Sequence, residues 1–135
     1  MLDLRGPVSI ELILRDGGGG LPAADWSRIV EKLSEFVNEY RVAGDEPAEH
    51  PELFEILEAL ERTKKFYHLY TAGQWQDPDR FLAGLRRMSY FGSFVFDFPG
   101  HTPELYREIR GADGHGPMVA ALQKSLASAR SMTWS

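Results

Sequence analysis

The chain has 135 residues and a net charge of −5, with 43% hydrophobic and 26% charged residues. That is an ordinary globular composition, and the length suits a single domain able to bury a core without staples. The absence of cysteine excludes disulfides and thiolate chemistry and fits a reducing cytoplasm.

The charge is uneven. Residues 1–67 carry 14 acids and 8 bases, a balance of −6, whereas residues 68–135 carry 6 acids and 7 bases, a balance of +1. An acidic chain is a poor ligand for nucleic acid, where phosphate contacts supply most of the affinity. The N-terminal Met-Leu-Asp-Leu-Arg lacks the pattern of a signal peptide, and no apolar run is long enough to span a bilayer. Abundant Arg and Ala with scarce Lys point to a bacterial origin.

Val8 to Arg15 reads as a strand, with Val8, Ile10, Leu12 and Leu14 alternating against Ser9, Glu11, Ile13 and Arg15. Asp16 and four glycines follow. The run resembles a phosphate loop only superficially: no Gly-Lys-Ser/Thr follows, and Pro22 stands where a dinucleotide loop needs glycine. A flexible connector is the reading. Leu21 to Arg41 predicts a long amphipathic helix. Trp26, Ile29, Val30, Leu33, Phe36, Val37 and Tyr40 fall on one arc at about 100° per residue.

Pro51 to Thr63 predicts a second helix with Leu53, Ile56, Leu57 and Leu60 inward. Its polar side is unusual. From Asp45 to Glu61 there are seven acids and no base, and Glu46, Glu49, Glu52, Glu55, Glu58 and Glu61 recur at every third residue. Like charges at this spacing cost a few tenths of a kcal/mol each. Either this is a solvated face that complements the helix dipole, or Glu49, Glu52, Glu55, Glu58 and Glu61 form a docking surface for a protein with a basic face.

Phe66 to Thr71 is ambiguous between helix and strand; its aromatics and Gly73 favour a strand with Phe66, His68 and Tyr70 on one face. Asp77-Pro78 opens a third helix carrying Phe81, Leu82, Leu85 and Met88. Gly92 to Phe98 alternates Phe94, Phe96 and Phe98 with Ser93, Val95 and Asp97, which predicts a strand with a large aromatic face, paired with the first strand as the floor of the core. Thr102-Pro103 caps a short helix. Pro117 starts a last helix with Met118, Val119, Leu122 and Leu126 in one stripe and alanines on its other sides. A loose tail is expected from about residue 131. Five prolines at apparent helix starts (Pro22, Pro51, Pro78, Pro103, Pro117) support five helices.

The expected fold is therefore α+β: a two- or three-stranded sheet with about five helices mainly on one face, in the order β-α-α-(β)-α-β-α-α. The main functional expectation is a non-catalytic interaction module of the inhibitor, immunity or adaptor kind, docking through the acidic helix. An alternative is a small ligand- or metal-binding domain or enzyme built from Asp97, His101, Asp113 and His115, which lie in loops after the phenylalanine strand. No metal-binding spacing such as H-E-x-x-H accompanies them, and no residue pattern names a cofactor. Ser93 lies within a strand rather than at a nucleophile elbow, and His50 and His68 have no partner by spacing. A homodimer through the last helix, or through a patch of Ile13 and Val95, is a third reading.

Overall fold

The structure is a computed structural model that describes residues 8–17, 19–111 and 113–131, with side chains described as far as Ser128. Met132, Trp134 and most of the expected tail lie outside the described residues. The elements in chain order are β1 (Ser9–Ile13), β2 (Arg15–Asp16), β3 (Gly19–Gly20), α1 (Ala23–Leu33), β4 (Glu39–Ala43), a 3-10 turn (Pro47–Glu49), α2 (Leu53–Thr63), β5 (Phe66–Thr71), α3 (Pro78–Arg86), β6 (Phe91–Phe96), α4 (Pro103–Arg110) and α5 (His115–Ser131). Gly19 and Gly20 form β3, which pairs antiparallel with β2.

β1, β4, β5 and β6 form one sheet in that order, and every neighbouring pair is parallel. Parallel neighbours need a crossover, and α1, α2 and α3 supply the three crossovers. Because each crossover steps to the next strand in one direction, a common right-handed sense puts all the helices on one face. The core shows this. Leu12, Val42, Leu69 and Tyr67 from the strands pack in one buried cluster with Trp26 and Val30 of α1, Leu57 and Leu60 of α2, Leu82 and Leu85 of α3 and Ala121 of α5.

The other face has no helical cover among the described residues. Ile13, Phe66 and Val95 are 46%, 56% and 40% exposed there, in company with Glu11, Arg41 and Ser93. All-parallel sheets are ordinarily covered on both faces, whereas here helices cover one face and the strand residues of the other lie open.

The expectation of an α+β chain with about five helices holds, but the sheet has four strands rather than two or three, and a separate two-stranded pair accompanies it. The expected order does not hold. The helix anticipated over 21–41 stops at Leu33, and Glu39–Ala43 is a central strand. Tyr40 continued the helical stripe by coincidence of spacing; with Val42 it forms instead the period-two face of a strand, and both are fully buried. Phe36, placed inward on the helical reading, is 67% exposed in the turn between the two elements. There Asn38 accepts the Val8 backbone N–H at 3.0 Å and so ties the turn to β1.

The phenylalanine strand is likewise not the floor, and it does not pair with β1. β6 is the far edge strand, and the central positions belong to β4 and β5. Phe94 and Phe96 pack around Trp75, while Phe98 lies beyond the strand and is half exposed. Phe66–Thr71 is a strand, as its aromatics suggested, but the opposite set of side chains, Tyr67, Leu69 and Thr71, is the buried one. Of the five prolines, Pro78 and Pro103 stand at first helical positions. Pro22 is the N-cap of α1, Pro51 precedes α2 and Pro117 lies inside α5.

Candidate ligand site at the strand carboxyl ends

Parallel strands point their carboxyl ends the same way, and ligands of such sheets bind beyond those ends. Here the segments that leave β1, β4, β5 and β6 meet at one end of the sheet. A cleft of about 650 Å³ opens at the ends of β4, β5 and β6, lined by Asp45 and Glu46 after β4, Tyr70 at the end of β5, Phe96 of β6 with Asp97 after it, and Arg110 of α4.

The loops around it are tied together by side chains. Gly44 follows β4 at φ 109°, and a Cβ there would stand 2.6 Å from the Arg15 carbonyl oxygen, so only glycine lets the two strand ends approach. Asp45 then accepts the Gly17 N–H at 2.8 Å while its own N–H donates to the Arg15 carbonyl at 2.9 Å. Glu46 turns inward. Its carboxylate accepts the Thr71 hydroxyl at 2.7 Å and the Gln74 N–H at 3.0 Å. The Thr71 oxygen in turn accepts from the Gly73 N–H at 3.0 Å and from the Trp75 indole at 2.9 Å. Trp75 is thereby held against Phe81, Phe94 and Phe96. Gln74 donates its side-chain amide to the Gly114 carbonyl at 2.9 Å, which fixes the start of α5. Burial pushes the Glu46 carboxyl above its ordinary value, and the hydrogen bonds from Thr71 and Gln74 pull against that rise.

The four residues picked from the sequence fall into separate surroundings. Asp97 lies on the rim of the cleft and is ion-paired with Arg110. Asp113 pairs with Arg107 on the exposed side of α4. His101 is exposed in the turn before α4. His115 packs edge-on to Tyr106, with ring centroids 6.1 Å apart and a buried Nε2. Among the described residues, no three His, Asp or Glu side chains gather to hold a metal ion. The sequence marks Glu46 only as part of the acidic run and Tyr70 only as part of a strand face, and singles out neither Thr71 nor Arg110; bringing them together requires first seeing that Glu39–Ala43 is a strand, so that Gly44 to Glu46 becomes a strand-end loop.

The acidic helix reads differently in three dimensions. Glu52 reaches across to accept the Ala23 N–H at 3.2 Å, capping α1. Glu61 accepts two backbone N–H groups ahead of β6, from Ser89 at 2.7 Å and Tyr90 at 2.8 Å. Burial, and then the Glu61 carboxylate, raise the pKa of the Tyr67 hydroxyl. Glu49, Glu52 and Glu55 border a cleft that also contains Arg15 and Arg80. Glu55 and Glu58 are exposed. His50, buried beneath, accepts the Glu52 N–H on Nδ1 at 3.1 Å and so presents Nε2–H to the Leu21 carbonyl at 3.2 Å, an internal tie.

No family model matches the sequence, and no curated protein matches it at a significant level. The fold is similar to that of SuiB from Streptococcus suis. The match to SuiB alone has a TM-score of 0.78 at 17% identity and covers 91% of this chain and 31% of that one. SuiB bound to S-adenosylmethionine matches with a TM-score of 0.77, 17% identity and coverage of 91% and 32%. SuiB bound to precursor peptide SuiA gives 0.76, 17%, 90% and 31%. The chain thus spans about a third of SuiB.

These findings overturn the expectation of a non-catalytic inhibitor, immunity or adaptor module. The neighbours are structures of a protein solved with S-adenosylmethionine and with a peptide, and two of the five acids assigned to docking, Glu52 and Glu61, hold backbone groups of their own chain. The leaning away from an enzyme finds no support either. No helix among the described residues is long and apolar enough to cross a membrane.

Proposed function

We propose that this chain is a ligand-binding domain whose cleft at the strand carboxyl ends takes a small cationic ligand of the S-adenosylmethionine kind. The observation that carries the reading is the meeting of parallel strand ends on a cleft of about 650 Å³, a volume ordinary for small-molecule sites. Its lining suits the ligand's chemistry. Asp45 offers a carboxylate to a sulfonium or ammonium group, the Asp97–Arg110 ion pair offers one charge each to the ligand's ammonium and carboxylate by exchanging partners, and Tyr70 and Phe96 offer aromatic walls to a purine. The S-adenosylmethionine complex of SuiB, a protein of similar fold, adds support. A peptide or protein partner is also compatible with this fold, since SuiB has been solved with a precursor peptide.

Isothermal titration with S-adenosylmethionine tests the proposal. Its neutral-sulfur analogue, S-adenosylhomocysteine, is expected to bind at least tenfold more weakly, because the sulfonium charge is what the carboxylates recognise. Val95→Trp, a substitution at an exposed residue on the cleft wall, should abolish binding while leaving the melting temperature near that of the parent. Absence of binding by the parent protein, or equal binding by Val95→Trp, would overturn the assignment.

A further inference from the structure

On the uncovered sheet face, three consecutive strands bring together a hydroxyl, an imidazole and a carboxylate. Ser93 of β6 lies with its Oγ 2.7 Å from His68 Nδ1 on β5. The other ring nitrogen, His68 Nε2, stands 3.4 Å from the Glu39 carboxylate on β4. The residues are 25 and 29 positions apart in the chain, and only the parallel register assembles them.

Two local features make room for this row. The pairing of β5 with β6 shifts between Tyr67 and His68, which sets His68 opposite Ser93. Gly92 precedes the serine, and a Cβ there would fall 2.6 Å from His68 Cε1 and 2.9 Å from Nδ1. Any side chain at 92 would displace the ring. His68 contrasts with His50, whose two nitrogens are both consumed by backbone groups.

The chemistry follows from which nitrogen holds the proton. A carboxylate beside Nε2 favours the tautomer with hydrogen on Nε2, leaving the Nδ1 lone pair to accept the Ser93 proton. From this geometry we infer that Ser93 is a nucleophile, with His68 as its general base and Glu39 as a positioning residue, and that the open face supports slow acyl transfer from activated esters. Ser93 Oγ attacks the ester carbonyl carbon as its proton passes to His68 Nδ1. The tetrahedral adduct collapses, and the departing alkoxide takes that proton and leaves as the alcohol. Water then attacks the acyl-serine, again losing its proton to His68, which returns it to Ser93 Oγ as the acid is released. Phe66 and Val95, exposed on the same face, favour apolar acyl or aryl groups. General-base assistance alone is worth roughly 10²–10⁴ in rate, so the activity is modest.

Fluorophosphonate labelling followed by intact mass measurement tests this. One adduct is expected on the parent protein, none on Ser93→Ala, and at least tenfold slower labelling of His68→Gln. The charged groups facing His68 are Glu39 and Arg41 of β4, with Glu11 on β1 one strand further. Glu39→Gln removes the carboxylate that orients the ring, so the maximal labelling rate should fall several-fold with the half-saturating probe concentration unchanged, and Glu39→Asp should recover part of that rate. No adduct on the parent, equal labelling of Ser93→Ala, or labelling indifferent to His68→Gln would overturn the inference. Circular dichroism of the variants separates loss of chemistry from loss of fold. The Ser93–His68 pair lies beside the cleft and shares its wall at Val95, but labelling is read without S-adenosylmethionine, so the outcome with that ligand does not bear on it.

Discussion

The two faces of the sheet are built from the same four strands and obey different rules. On the helix-covered face the strands contribute Leu12, Tyr40, Val42, Tyr67 and Leu69, all at most 3% exposed. On the other face, residues one position along the same strands are charged, polar or half exposed, apart from Ala43, which is buried at the end of β4. The first face holds the molecule together by burial of apolar area, at roughly 25 cal/mol per Å². The second adds little burial and brings the Glu39, His68 and Ser93 side chains together. One step of pleat separates the positions that bury apolar area from those that bring Glu39, His68 and Ser93 together.

The contrast between the faces predicts unequal costs for truncating a side chain on each. Leu69→Ala, on the covered face of a central strand, should cost about 2–5 kcal/mol. Val95→Ala, on the open face of β6, should cost less than about 1 kcal/mol, mostly through strand propensity. Urea denaturation of the two variants measures both. Equal costs would mean that the open face is covered in solution, as in a dimer through Ile13 and Val95, and the contrast between the faces would fail.

How much of this could be read from the sequence depends on whether the signal was local. The apolar positions of α2 and α3 have a clean helical period, and Leu53, Ile56, Leu57, Phe81, Leu82 and Leu85 are buried as their spacing predicts. β1 is legible for the same reason, since Ile10, Leu12 and Leu14 alternate. β4 was hidden because Tyr40 satisfies a helical and a strand period at once, and the Ser34–Asn38 turn carries neither glycine nor proline. Losing β4 lost the parallel order, and with it the site. Glu46 and Thr71 meet across 25 residues, and His68 and Ser93 across another 25. Such pairings are set by strand register, which leaves no mark on residue spacing. The acidic run was visible, but its use was not, because a carboxylate that caps a distant backbone group reads like one that faces water.

A smaller effect sharpens the same contrast within α2. Glu61 accepts two backbone N–H groups at the entry to β6, whereas Glu58, one turn earlier, is exposed. Glu61→Ala leaves both donors without that acceptor and should cost about 1–3 kcal/mol. Glu58→Ala should stay within about 0.5 kcal/mol of the parent. Urea midpoints decide it; equal values for the two variants would mean that the Glu61 bridge contributes nothing to holding β6.

The smallest effect concerns charge alone. The Glu55 carboxyl is held above its ordinary value of 4.5, first by a hydrogen bond shared with Glu52, then by desolvation and by the nearby charges of Glu52 and Glu58. A carboxyl raised in the folded state binds its proton more tightly there than in the unfolded chain. Its contribution to stability is therefore complete below the ordinary value and is lost as pH rises through the folded one. Glu55→Gln stays neutral at every pH and escapes that loss. The variant should melt slightly higher than the parent at pH 7, and the two should converge below about pH 4, where the parent's carboxyl is protonated as well. Melting curves across that range test it. A variant that melts lower at pH 7 would show that Glu55, like Glu52 and Glu61, is engaged with its own chain, leaving Glu58 as the exposed acid on that side of α2.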